Sequence, residues 1–303
     1  MSQLNKAQAA VVSGLVDIIE ANEDIHDQPI SSIFSAQDAP SNAITGNYYN
    51  GSNLITLAIA AWAKGYTSSR WGTYKQWESE GKKLVDAKGH GVRVVYYGRA
   101  EKIDSNGNEK LVPFFRYAVV FNESLTEGYG ASNTAEKPPV DFDKNLVRSF
   151  VGSLDVDIRH AFGNKAFYYP KGDFINMPPL EHFRSTEGYH SQEGNYYATL
   201  FHELTHLTGH KTRLNRIVST DFNSDEYRYE ELIAELGASF LCAHFKFEGV
   251  RNDGHAIYLG CFLRYLKREP SLLFDVAKDS KLAVDFLFKM SGESMGEGAA
   301  LTA

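Results

Sequence analysis

The chain has little of what holds small secreted or cysteine-ribbon folds together. Its 303 residues include two cysteines, Cys242 and Cys261, with no C-x-x-C pair. That excludes a disulfide framework and a cysteine-based structural zinc, and it fits a reducing cytoplasm. Long apolar runs are missing as well. The longest, Leu54 to Ala63, has ten residues with Thr56 among them, about half of what a bilayer span requires. Asn5, Lys6, Gln8 and Asp17 interrupt the stretch where a secretory segment would be apolar. The expected location is therefore cytoplasmic, with no membrane partner. Nor is there an overall excess of positive charge. The formal charge is −7, which by itself argues against nucleic acid as a partner. With 43% hydrophobic and 23% charged residues, the composition is that of a well-cored globular protein. The length predicts two domains.

The most informative run is His202-Glu203-Leu204-Thr205-His206. Two imidazoles at i and i+4 fall on one face of a helix, within reach of one metal ion. The intervening carboxylate, Glu203, can turn toward the open side of that ion and act as general base. Tyr196, Tyr197, Leu200, Phe201, Leu204 and Leu207 recur at helical spacings, and Gly209 supplies a stop. A chance match to this motif is expected in about one chain in a hundred of this size. The competing reading, a helix whose histidines are merely solvated, weakens once a third ligand is found.

One group of zincins takes that ligand from a third histidine downstream. Here position 212, where the histidine should stand, is Thr. The other group takes a glutamate from a second helix, and the acid-rich segment from Tyr229 to Leu241 is strongly helical. Glu231 and Glu235 lie one turn apart on one face, while Ala234, Gly237 and Ala238 allow close packing against the histidine helix. Spacing alone leaves either glutamate as the ligand. The pattern Glu231-x-x-Ala234-Glu235 resembles the second helix of many Glu-zincins. That resemblance implies Glu231 as ligand and Glu235 as the carboxylate orienting a ligand histidine. The expected cofactor is one divalent metal. Zinc is the default for these donors, and manganese and nickel are compatible with them.

Charge is unevenly placed. Between residues 40 and 100 there are eight basic side chains against three acids, a local excess of five. Tyr48, Tyr49, Trp62, Tyr66, Trp71, Tyr74, Trp77, Tyr96 and Tyr97 are interleaved with them, and all three tryptophans of the chain are included. Cations that track phosphates and flat rings that stack bases are the ingredients of single-strand binding. From composition alone, an ordinary aromatic core under a mildly basic surface is the better reading.

The expected order begins with an amphipathic helix within residues 1–25, carrying Val11, Leu15, Ile18 and Ile19 on one face. After a loop, a buried helix spans Leu54 to Lys64, and a short helix capped by Thr73 follows. Strands over Val92–Tyr97 and Leu111–Phe121, joined across Asn106-Gly107, predict an antiparallel hairpin. The aperiodic stretch ending in Pro138-Pro139 reads as a linker. A helix over 141–161 should follow, then strands over Lys165–Tyr169 and Phe174–Met177, the metal helix, the acid helix and further helices to about Met290. The tail from Ser291 should be loose.

These pieces also resemble, in order, the ArdC-type antirestriction proteins. Pro40-x-Asn42-x-x-Thr45-Gly46-x-x-Tyr49-x-Gly51-x-Asn53, Arg70-Trp71-x-Thr73-Tyr74-Lys75-Gln76 and Phe115-Arg116-Tyr117 carry the resemblance in the first half. Ala166-Phe167-Tyr168-Tyr169-Pro170, the metal run, Gly209-His210-Lys211-x-Arg213-Leu214-x-Arg216 and Glu230-Glu231-Leu232-Ile233-Ala234-Glu235 carry it in the second. The resemblance implies an α+β chain with three parts. A mixed helix and antiparallel-hairpin domain that binds single-stranded DNA occupies 1–129, a linker 130–140, and a zincin-like metallopeptidase domain 141–303. It reverses the odds on the basic aromatic stretch and makes Arg70, Trp71, Tyr74, Lys75 and Trp77 the candidate DNA contacts. It implies protection of incoming plasmid DNA from host restriction during conjugation. A restriction-modification or other DNA-bound host protein would be the substrate. The alternative is a single-strand-binding shield whose zincin domain is structural or inactive. Tyr168 and Tyr169 are expected beside the cleft, Tyr168 assisting an oxyanion, although a strand tyrosine is more often core packing. The strand over Phe174–Met177 is expected to offer an edge to an extended substrate.

Overall fold

A computed structural model describes residues 4–27, 39–103, 109–132, 143–184, 191–216, 221, 224–245 and 259–293. The first helix, α1 (Lys6–Glu20), starts at a capping box in which Asn5 and Gln8 satisfy each other's backbone amides, and it buries Val11, Val12, Leu15 and Ile19. In α2 (Gly51–Lys64) the eight residues from Leu54 to Ala61 are all buried, and Gly65 closes the helix at φ 65°. A helix apolar all round must be covered on every side, and α2 is. One face carries Leu54, Ile55, Ala58 and Ile59 into the larger core, and the other carries Leu57, Ala60 and Ala61 into a smaller one beneath the sheet.

That sheet combines β1 (Ser41–Asn42), β2 (Arg70–Gly72), β3 (Val92–Ile103) and β4 (Glu109–Asn122) in the order β1-β2-β4-β3. The expected hairpin forms in unbroken antiparallel register from Val92↔Val120 to Ile103↔Glu109. Its Asn106-Gly107 turn lies outside the described residues. Thr73 caps α3 (Tyr74–Ser79) through a second capping box with Gln76. Residues 130–132, expected in the linker, complete the short helix α4 (Tyr129–Ser132), and 133–142 are outside the described residues.

The expected helix over 141–161 is shorter, as α5 (Lys144–Ser153). Asp143 caps its start, and Asp155 at φ 50° turns the chain away after its end. Then come β5 (Ile158–Arg159), β6 (Phe167–Tyr169) and β7 (Phe174–Asn176). β7 is the middle strand of this sheet, parallel to β5 and antiparallel to β6. The expectation that Phe174–Met177 offers a free edge is therefore corrected, because both sides of β7 are already hydrogen-bonded. The remaining helices are α6 (Gln192–Thr208), α7 (Asp225–His244), α8 (Leu259–Arg268) and α9 (Leu272–Ser291). The last ends at Gly292 in left-handed conformation, and the tail from 294 is outside the described residues.

α1 packs against β3, β4 and α8, and α9 packs against α2, α6 and α7. Val11, Leu15, Ile55 and Ile59 thus share one apolar cluster with Phe201, Leu236, Leu263 and Val276. The mixed helix and sheet architecture is α+β, as expected. Among the described residues no helix is long and apolar enough to cross a membrane.

Candidate metal centre and nucleic-acid surface

α6 begins at Ser191, whose hydroxyl accepts from the Gly194 amide, and runs into the core so that Leu200, Phe201, His202, Glu203 and Leu204 are all buried. The i, i+4 spacing brings the His202 and His206 rings to 4.6 Å between centroids, at 82°. α7 is capped by Ser224 and lies directly against α6. Gly237 sets that closeness. A Cβ built there would stand 2.6 Å from Thr205 Cγ2 and 2.7 Å from its Oγ1, so any larger residue would have to displace the Thr205 side chain or the helix that carries it. The approach places Glu231 opposite both histidines, with Oε2 at 3.5 Å from His202 Nε2 and Oε1 at 3.3 Å from His206 Nε2.

These three side chains each offer one donor atom, and the donors all lie within 4.8 Å of one another. Two imidazole nitrogens and a carboxylate oxygen at such separations fit a single divalent cation, whose ligands stand about 2.0–2.2 Å from it. Electrostatics point the same way. Burial alone would lower His206, but the charge of Glu231 and hydrogen bonds to Glu230 and Glu231 outweigh it, and its pKa is pushed up to about 10. Burial likewise opposes ionisation of Glu231, yet the facing His206 and His202 hold it well below the usual carboxylate range. The cluster is built to hold positive charge, and a cation entering it takes the place of a proton.

Glu203 is 3% exposed and sits between the two histidines in sequence. Glu235 is buried one turn beyond Glu231. The carboxylate at Nδ1 of His206 is one that the spacing argument passed over, Glu230, at 3.3 Å. The signal that could have found it is its place directly beside Glu231 in the sequence.

Tyr168 is 9% exposed, and its hydroxyl donates to Asp173 Oδ1 at 2.7 Å and accepts from Arg213 at 3.2 Å. Arg213 also donates to the Leu207 carbonyl at 2.7 Å and pairs with Asp173. The tyrosine therefore helps tie the β6–β7 turn to the end of α6. Burial and Asp173 push its pKa up. Tyr169 is exposed.

The five expected DNA contacts separate. Tyr74 and Lys75 are exposed. Trp71 and Trp77 are 0% exposed, Trp71 edge-on to Tyr66 and Trp77 donating from Nε1 to the Phe121 carbonyl at 3.0 Å. Stacking requires an open ring face, so these two are corrected to core residues. Arg70 donates to Glu123 at 2.6 Å, to the Ala43 carbonyl at 2.8 Å and to Glu80, which makes it chiefly a structural cation. Among the described residues of this half, Tyr48, Tyr96 and Tyr117 also expose their rings. On the hairpin, Tyr96 faces Arg116 in register, and the Arg116 guanidinium lies 4.9 Å from the Phe114 ring centroid. Arg116 and Tyr117 fell outside the basic stretch because its sequence window stopped at residue 100.

Comparison with known proteins matches both halves. Residues 5–121 fit the family model described as the N-terminal domain of anti-restriction factor ArdC, and residues 145–279 fit that of a zincin-like metallopeptidase. The metal-free crystal structure of the antirestriction protein ArdC from plasmid R388 aligns with a TM-score of 0.68 at 32% identity. The alignment covers 95% of this chain and 98% of that one.

The chain belongs to the ArdC antirestriction family.

The Mn(II)-bound structure of R388 ArdC aligns equally well, with a TM-score of 0.67 at 31% identity over the same shares of both chains. An uncharacterized protein of Sinorhizobium fredii, y4eC, is 30% identical over 293 residues, 94% of this ArdC-family chain and 92% of its own length. The DNA primase TraC of Escherichia coli is 28% identical over 307 residues, 95% of this chain but only 27% of the primase.

Proposed function

We propose that this ArdC-family chain binds single-stranded plasmid DNA entering a recipient cytoplasm and protects it there from restriction, using a metal-dependent peptidase site. Residues 1–129 are the DNA-binding unit, 130–140 the connection and 141–303 the peptidase unit, although the two units share one core. The observation that carries the reading is the convergence of His202, His206 and Glu231 donor atoms with Glu203 on the same helix. Kinship with a plasmid antirestriction protein and with a primase called TraC supports the conjugative setting.

His202, His206 and Glu231 would hold one divalent cation. Zinc suits the donors, and manganese gains support from the Mn(II)-bound R388 relative. When bound, such an ion supplies Lewis acidity that polarises a scissile carbonyl. Glu203 takes a proton from the attacking water and returns it to the leaving amine. Glu231 and the histidine Nε2 atoms fix where that carbonyl can sit. Tyr168, whose hydroxyl proton is already given to Asp173, shapes the wall of the site and leaves the oxyanion to other donors. An extended host protein would add to a free edge of the small sheet, β5 or β6, since β7 is enclosed. On the DNA side, the exposed Tyr74, Lys75, Tyr96 and Arg116 take the place of the buried tryptophans as stacking and phosphate contacts.

Conjugation into a restricting host, with Glu203→Gln compared against the unmodified chain, tests the peptidase. Lost protection with metal content and DNA affinity unchanged is the expected result. Full protection by the variant would overturn the enzymatic reading and leave a DNA-binding shield.

A further inference from the structure

Two arginines follow the end of α6 and go to different places. Arg213 reaches Asp173 beside the small sheet, whereas Arg216 lies against Glu230. Nε of Arg216 donates to Glu230 Oε2 at 3.1 Å, and a terminal nitrogen donates to Oε1 at 3.0 Å. The same guanidinium donates to the Thr208 hydroxyl and to the Thr205 carbonyl, each at 2.9 Å. Glu230 Oε1 in turn stands 3.3 Å from Nδ1 of His206. Side chains of His206, Glu230 and Arg216 are each only 11–12% exposed, so little water competes for these bonds.

We propose that Glu230, braced by Arg216, is the positioning carboxylate that sets the orientation of His206 at the metal centre. This rests on the metal-site reading above. A carboxylate beside a guanidinium accepts hydrogen bonds, so Nδ1 of His206 donates to it and Nε2 is left as the nitrogen for a cation. Helix geometry makes the arrangement natural. Neighbouring residues on α7 point about 100° apart, so Glu230 and Glu231 approach the imidazole from different sides. One meets Nδ1 and the other Nε2. Arg216 supplies what a bare pair of adjacent acids lacks. Its charge offsets Glu230, and its grip on Thr205 and Thr208 ties that carboxylate to the helix bearing the histidine. Glu230 takes this role at His206 alongside Glu235, the carboxylate that the resemblance to Glu-zincins offers for orienting a ligand histidine.

Titration of the full metal-free chain with Zn(II) against a chelating dye tests the inference. Glu230→Gln keeps the shape and removes the charge, and it should weaken Zn(II) binding by about 10–100-fold. Circular dichroism and single-stranded DNA affinity should stay unchanged. In the zinc-loaded protein the nitrogen NMR signature of a hydrogen-bonded His206 Nδ1–H should be lost, a change that general loosening would not produce. Unaltered affinity in Glu230→Gln beside abolished binding in His202→Ala would overturn this inference and leave the metal site standing. Undiminished binding in His202→Ala as well would overturn both. Should Glu230→Gln fail to fold, Arg216→Lys keeps the charge but cannot hold Glu230, Thr205 and Thr208 together. Weaker zinc binding is expected of it, and unchanged affinity would again overturn the proposal.

Discussion

His202 and Trp71 are almost equally inaccessible, 1% and 0% exposed, yet burial serves the role expected of one and removes the role expected of the other. A metal ion is small enough to enter a packed helix interface, and low dielectric strengthens its bonds there. A nucleotide base needs an open ring face several ångströms across. The histidines were assigned from spacing on one helix, a property that packing does not change. The tryptophans were assigned to DNA from the family resemblance, against a composition that favoured a core, and a resemblance in motif does not say which side of a sheet a ring faces.

The largest effects should fall on the metal side. His202→Ala and His206→Ala should each abolish stoichiometric metal uptake, measured by elemental analysis of purified protein. Full occupancy in either would break the contrast at its firmer end. Trp71→Ala and Trp77→Ala come next. As core residues they should cost about 3–5 kcal/mol of folding stability in denaturant titration. If they left stability intact and lowered only DNA affinity, the buried placement would have to be given up. Tyr74→Ala and Tyr96→Ala should show the reverse. Each is expected to cost about 1–3 kcal/mol of single-strand affinity while changing stability by less than about 0.5 kcal/mol. Affinity unchanged in both would move the DNA surface away from these rings.

The smallest expected effect concerns pH. Burial opposes ionisation of Glu123, but hydrogen bonds from Lys82 and Ser68 and the charges of Arg70 and Lys82 hold its pKa below the ordinary value. A carboxylate depressed in the folded state stabilises above its unfolded pKa and loses that contribution as pH falls through the folded one. Stability of the chain should therefore fade below about pH 4, and Glu123→Gln should flatten that part of the profile. An unchanged acid limb would show that this network, which also holds Arg70, contributes nothing.

Where an element depends on its own residues, the sequence was sufficient. The Thr73 cap, the long hairpin and the two histidines one turn apart all follow from spacing or local hydrogen bonding. So does the apolar helix at Leu54, whose uniform hydrophobicity announced burial, though not that it would be shared between two cores. The misjudged features depend on what lies alongside. β7 reads as any short strand does, and only its partners β5 and β6 make it interior. Glu230 and Glu235 are both acids on the α7 helix. Nothing in one dimension shows that Arg216, fourteen residues before Glu230, folds back onto that carboxylate. Periodicity is carried by the backbone and survives in one dimension. Which carboxylate meets which nitrogen is decided by two helices approaching until Gly237 touches Thr205, and that distance exists only in the folded chain.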